Sequence, residues 1–185
     1  MSMKQTDFKM KTEYESKILN INVEDIKDRL EKLGAKKYLE RSMRRYVYDI
    51  NPENKKSWIR LRDDDEKITL TIKEISSYEI DGTKEIEIIV SDFEKTNELL
   101  KKLGFMPKAY QENKRISYRL DGVEIEIDFW PKIPPYLEVE GKSIEDVKKT
   151  IKLLGFEFSE ATSLSTKEVY KKYGLKIHDF KELKF

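Results

Sequence analysis

The chain has 185 residues, no cysteine and a single histidine, and its 37 basic and 36 acidic side chains nearly cancel. The missing cysteines exclude disulfides, thiolate metal sites and cysteine nucleophiles. The lone His178 argues against a histidine-built zinc centre or a Ser-His-Asp triad, and the neutral balance excludes a polycation that holds nucleic acid non-specifically. No apolar run approaches the ~20 residues of a membrane span, and the N-terminus lacks an apolar signal region. The expectation is a soluble cytoplasmic protein, with residues 1–11 as a loose lead-in and 12–185 as one domain.

Taken in chain order, the first predicted strand covers 12–19 and contains Glu13-Tyr14-Glu15-Ser16-Lys17. In an extended strand alternate side chains share a face, so Glu13, Glu15 and Lys17 point one way and Tyr14, Ser16 and Ile18 the other. Two neighbouring carboxylates repel unless a cation offsets them, and a divalent ion that takes oxygen ligands does so. A helix follows from cap Asn22 to Gly34, with Val23, Ile26, Leu30 and Leu33 as its apolar stripe. Strands are predicted at 38–50, 56–63, 67–75 and 84–90. A second helix runs from cap Asp92 to Gly104, with Phe93, Leu99, Leu100 and Leu103 on one side. Strands at 109–120, 123–130 and 136–140 complete the set. Asp81-Gly82 and Asp121-Gly122 read as turns, the second as a tight hairpin. Pro131, Pro134 and Pro135 stiffen the approach to the last strand. A third helix runs from cap Ser143 to Gly155, and a short one around Lys167 to Tyr173.

Most of these strands carry charge on one face and aliphatic groups on the other. Arg60 and Arg62 share a face with Trp58, opposite Ile59 and Leu61; Lys73 joins Thr69 and Thr71; Glu85 and Glu87 oppose Ile86 and Ile88. Arg115, Ser117 and Arg119 oppose Ile116 and Tyr118; Glu124, Glu126 and Asp128 oppose Ile125 and Ile127; Glu138 and Glu140 oppose Leu137 and Val139. An open antiparallel sheet with its charged face in water is one reading. Yet charge fills 39% of the chain, against a typical ~25%, and an open sheet leaves two exposed edges. Eight antiparallel strands can close instead into a barrel with helices packed on an apolar outside. Its charged interior then suits a polyphosphate, gripped by Arg and Lys, with divalent ions on the carboxylates.

The ordered set of motifs resembles the CYTH domain, the triphosphate tunnel metalloenzymes, and within it the class IV adenylate cyclase-like proteins. Glu13-Tyr14-Glu15-Ser16-Lys17 is similar to the family's E-x-E-x-K signature. Trp58 to Arg62 resembles its R-x-R strand, Thr71-Ile72-Lys73 its lysine strand, and Lys84 to Glu87 its R-E-x-E strand. Arg115 with Tyr118, and Asp128 with Leu137 to Glu140, complete the likeness. The resemblance implies an α+β fold, a closed eight-stranded antiparallel β-barrel tunnel with helices outside. It implies Lys17, Arg60, Arg62, Lys73 and Arg115 as triphosphate-binding, with Lys17 also as the catalytic candidate that stabilises charge or assists proton transfer. It implies Glu13, Glu15 and Glu140 as leading metal ligands for Mg²⁺ or Mn²⁺, with Glu87, Asp128 and Glu138 close to the metals or the basic groups. The partner would be a small-molecule triphosphate: ATP, tripolyphosphate or thiamine triphosphate. A homodimer is implied by family habit alone.

Two departures stand out. Asn113 occupies a position where the family often has lysine, with Lys114 out of phase and pointing outward, and Lys84 stands for the usual arginine. Either change could alter substrate preference. The Asp63-Asp64-Asp65-Glu66 run reads as a solvated hairpin loop and His178 as a surface residue. The sequence leaves two reactions open: cyclisation of ATP to cyclic AMP and pyrophosphate, or hydrolysis of a triphosphate. A non-catalytic module that captures phosphorylated ligands is the alternative.

Overall fold

The structure, a computed structural model, describes residues 10–51, 53, 56–77 and 79–185. The predicted lead-in falls largely outside these residues. The elements run β1 (Lys11–Ile18), α1 (Val23–Lys32), β2 (Lys36–Asp49), β3 (Ser57–Asp63), β4 (Ile68–Ile75), β5 (Thr83–Val90), α2 (Phe93–Lys102), β6 (Pro107–Leu120), β7 (Val123–Phe129), β8 (Tyr136–Gly141), α3 (Ile144–Leu153), α4 (Thr166–Lys172) and β9 (Glu182–Leu183). Every predicted strand and helix is present, with ends moved by one or two residues. The short parallel strand β9 and two 3-10 turns, Phe158–Glu160 and Ile177–Asp179, are additions.

The strand order β2-β3-β4-β5-β1-β8-β7-β6 is closed by antiparallel pairing of β2 with β6. The eight strands therefore form a barrel. Closure settles the side chains' allegiance, because period-two alternation now divides an inside from an outside. The aliphatic faces lie outside, most of them beneath the helices, with Ile88 of β5 left exposed. Ile26 and Leu30 of α1, and Val147, Ile151 and Leu154 at α3, pack on Ile18, Ile116, Ile125, Ile127, Leu137 and Val139. Phe93 and Leu100 of α2 pack on Tyr48, Ile59 and Leu61. The open-sheet reading fails because the charged faces enclose a bore.

Each long helix is bounded as its sequence suggested. Asn22 accepts from the amides of Glu24 and Asp25, Asp92 from Lys95, and Ser143 from Asp146. At the C-terminal ends Gly34, Gly104 and Gly155 hold φ of +73°, +94° and +82°, and the next amide returns to the carbonyl of Leu30, Leu100 or Ile151. The stripe of α2 differs from expectation. Leu99 and Leu103 are exposed, while Asn97 is buried and accepts a 2.9 Å bond from the Tyr48 hydroxyl. A satisfied polar group thus takes a position that apolar periodicity would not assign. Among the described residues no helix is long and apolar enough to cross a membrane.

The C-terminal segment serves the bore rather than the outer core. Val169 and Tyr170 of α4, with Ile177 and Leu183, pack against Trp130, Ile133 and Tyr136. The Tyr170 hydroxyl donates to the Pro131 carbonyl at 2.7 Å, which ties the proline-rich connection to α4.

The outer core predicts a conventional packing cost. Ile151 is fully buried, so Ile151→Ala should lower unfolding free energy by about 2–5 kcal/mol, read from the urea midpoint. A change below about 0.5 kcal/mol would show that α3 does not anchor the barrel.

Candidate active site

The inward-pointing residues enclose a cavity of about 550 Å³. Its walls carry opposite charges on opposite sides. In the closed order β1 and β2 lie four strands apart in either direction, so they face each other across the bore.

The acidic wall is built on β1, β8 and β7. Register places Glu15 opposite Glu140, and Glu140 opposite Glu124, a row of three carboxylates on adjacent strands. Like charges directly opposite each other destabilise a sheet. The next row runs Lys17, Glu138, Glu126 and Ser117. Lys17 is 2% exposed, with its Nζ 2.9 Å from both Glu15 and Glu138. Burial alone would lower the lysine, but Glu138 and Glu15 outweigh it and hold the ammonium well above its ordinary range. Burial likewise opposes ionisation of Glu138, yet Lys17 and Arg115 hold its carboxyl far below the usual value. Among the described residues Glu140 pairs only with Lys11, at 3.5 Å and largely exposed. Burial, then Glu13 and Glu15, push Glu140 up to about 7.

The basic wall is built on β2, β3 and β4. Arg60 lies 3.3 Å and Arg62 3.7 Å from Glu87, and Lys73 lies 2.7 Å from Glu13. Arg60, then burial and Arg115, push Arg62 down to about 9. The structure adds two arginines that strand periodicity did not single out, Arg41 and Arg45 of β2. The sequence signal was ambiguous because Arg44, in the opposite phase, is also an arginine. Register resolves it: Arg45 sits opposite Arg62, and Arg41 opposite Arg115.

All the implied site residues except Asp128 line the cavity. Asp128 is fully buried and accepts both Nε and Nη2 of Arg115, at 2.8 and 2.6 Å. This fork orients Arg115, which also pairs with Glu138 at 3.1 Å and with Glu126. Glu87 lies among the basic groups, accepting from Thr71 at 2.8 Å. Asn113 is buried; its side chain accepts from Arg45 and donates to Asp128. Lys114 is exposed, as its phase required. Lys84 is exposed and outside the cavity, so its replacement of arginine removes no inward contact. Asp64 departs from the solvated-loop reading: it is 1% exposed, lies 2.9 Å from Arg41, and accepts from the Lys67 amide. His178 is exposed, yet stands at the cavity's border.

Among the described residues no three carboxylates are drawn together into a ready metal cage. Glu13, Glu15 and Glu138 are each engaged by a lysine. The donor set itself fits a hard divalent ion: the carboxylate oxygens are adjacent, and Glu140, crowded by Glu13 and Glu15, is the least compensated of them.

A model of the CYTH domain family matches residues 11–171. A Methanocaldococcus jannaschii protein named "putative adenylate cyclase" is 27% identical over 182 residues, spanning 95% of this chain and 98% of its own. A conserved hypothetical protein from Pyrococcus furiosus is 25% identical, with a TM-score of 0.73 over 84% of this chain and 98% of that one. A Hippeastrum protein, described as a "putative adenylyl cyclase" with a dominant triphosphatase activity, shares the fold at 15% identity and a TM-score of 0.58, over 92% and 100% of the two chains.

Glu140 gives a pH signature. Its folded value, about 7, lies above the ~4.3 of an unfolded glutamate. Its contribution to stability is therefore present below about pH 4 and lost as pH rises through about 7. With divalent ions chelated, Glu140→Gln should melt higher than the parent at pH 8, and the gap should close towards about pH 4. A gap that stays constant with pH would contradict the crowding of Glu140 by Glu13 and Glu15.

Proposed function

The chain belongs to the CYTH domain family, and we propose that its bore is the active site of a divalent-metal-dependent enzyme that cleaves a triphosphate. The observation that carries this reading is the segregation of charge across one cavity. A carboxylate row on β1, β8 and β7, with Glu140 its least compensated member, faces a crowded guanidinium wall on β2 and β3. Each wall is strained alone and relieved by the other half of a metal–polyphosphate complex.

Glu13, Glu15 and Glu140 would hold the ion, which when bound neutralises phosphate charge and activates the attacking oxygen. Arg60, Arg62 and Lys73 grip phosphate oxygens, the arginines through planar forks. Arg115, fixed by Asp128, presents a preoriented donor where negative charge develops. Lys17, its ammonium held by Glu138 and Glu15, would serve as a fixed cation beside the metal-held phosphate. Tyr136 and Trp130, backed by α4, exclude water from one side of the cavity.

With water as the attacking group, the product is a shortened phosphate chain. Attack by a ribose 3′-hydroxyl on the α-phosphate of ATP, giving cyclic AMP and pyrophosphate, is the second reading. It is favoured by the name of the M. jannaschii relative and by Trp58, whose ring lines the cavity beside Lys73 as a stacking surface for a base. A module that merely captured phosphorylated ligands would gain nothing from the carboxylate row.

A product assay separates these readings: tripolyphosphate, ATP and thiamine triphosphate, each with Mg²⁺ or Mn²⁺, resolving phosphate, pyrophosphate and cyclic AMP. No metal-dependent product from any of them would leave only capture. Glu15→Gln should cut turnover at least ~10²-fold, and unchanged turnover would remove Glu15 from the metal site. Arg62→Ala should raise KM about tenfold or more with a smaller change in kcat. A normal KM would count against Arg62 as a phosphate clamp.

A further inference from the structure

Several buried hydrogen-bond donors around the basic side of the cavity lack an acceptor. Among the described residues, the Nε atoms of Arg41, Arg45, Arg60 and Arg62, and Nε1 of Trp130, are buried without an acceptor, and all five side chains line the cavity. Buried donors are ordinarily paired, so a run of unpaired ones marks a missing acceptor.

Arg45 is the extreme case. It is 9% exposed and makes no ion pair among the described residues. Its register neighbours are Arg62 and Gln111, its guanidinium stacks over the Trp130 ring at 4.7 Å, and one Nη2 bond goes to Asn113. Asn113 in turn donates to Asp128, so the arginine is held by a neutral amide rather than neutralised by a carboxylate. A buried charge needs a partner, and this one is placed opposite the β1 carboxylates.

We propose that Arg45, with the indole N–H of Trp130, forms a subsite for the phosphate at the far end of the chain from the metal-held one, so that it reads polyphosphate length. This rests on the triphosphate reading and adds a residue to it. In this arrangement a three-phosphate chain reaches from the metal on the β1 wall to Arg45 on the opposite wall, and a two-phosphate chain held by that metal stops short of it.

The test is calorimetric titration with tripolyphosphate and pyrophosphate in their non-cleavable imido forms, with Mg²⁺ present to anchor the end phosphate, together with ligand-free melting. Arg45→Met should raise the Kd for tripolyphosphate about 10- to 100-fold and change that for pyrophosphate less than about threefold. Its ligand-free melting temperature should be unchanged or higher, since a like charge is removed from beside Arg62. Arg45→Lys keeps the charge, loses the fork, and should fall between parent and Arg45→Met. The outward Lys114→Met should bind both ligands as the parent does. Unchanged tripolyphosphate binding in Arg45→Met, equal losses for both ligands, or a lower melting temperature with intact binding would each overturn the subsite. If the parent itself binds neither ligand, the triphosphate reading fails first, and the two failures are distinct.

Discussion

Closure of the sheet between β2 and β6 is the constraint on which everything else depends. Once the strands form a cylinder, a face rich in charge loses the option of bulk water. Buried ions cost several kcal/mol each unless they are paired and hydrogen-bonded. The bore meets that demand partly from within: Lys17 lies between Glu15 and Glu138, and Arg115 is forked by Asp128. What stays least compensated is one group on each side, Glu140 among carboxylates and Arg45 beside Arg62. Folding tolerates them because the outer core is large and well packed, with three capped helices lying on continuous aliphatic faces.

Much of this was legible in the chain. Strand positions followed from alternation because most strands turn an aliphatic face outward and a polar face to the bore. Helix ends followed from Asn22, Asp92 and Ser143 at one end and Leu-Gly at the other. The inward faces of β1, β3, β7 and β8 were legible because charge and aliphatics there keep strict phase.

What escaped the sequence depends on register and on tertiary exchange. Strand β2 has arginine at 41, 44 and 45, so phase alone leaves its inner face undecided; pairing with Arg62 and Arg115 decides it. Asp128 has the same phase as Glu124 and Glu126, yet its carboxylate is spent on Arg115 and does not reach the cavity. Asp64 belongs to an acidic run that reads as solvent-facing, but Arg41 draws it in. The role of the C-terminal segment is a long-range event: α4 meets the Trp130–Tyr136 region across more than thirty residues, and no local pattern announces such a contact. Asn97 shows the same limit on a helix, where a single bond from Tyr48 redirects the buried stripe.

A crystal structure grown with Mn²⁺ and tripolyphosphate tests the division of charge across the bore most directly. The account predicts anomalous density for the metal against Glu13, Glu15 and Glu140, with the phosphate chain running from that ion to the β2–β3 guanidinium groups. Metal density outside the barrel, or a polyphosphate bound on the outer surface while the bore keeps its present ion pairs, would contradict it.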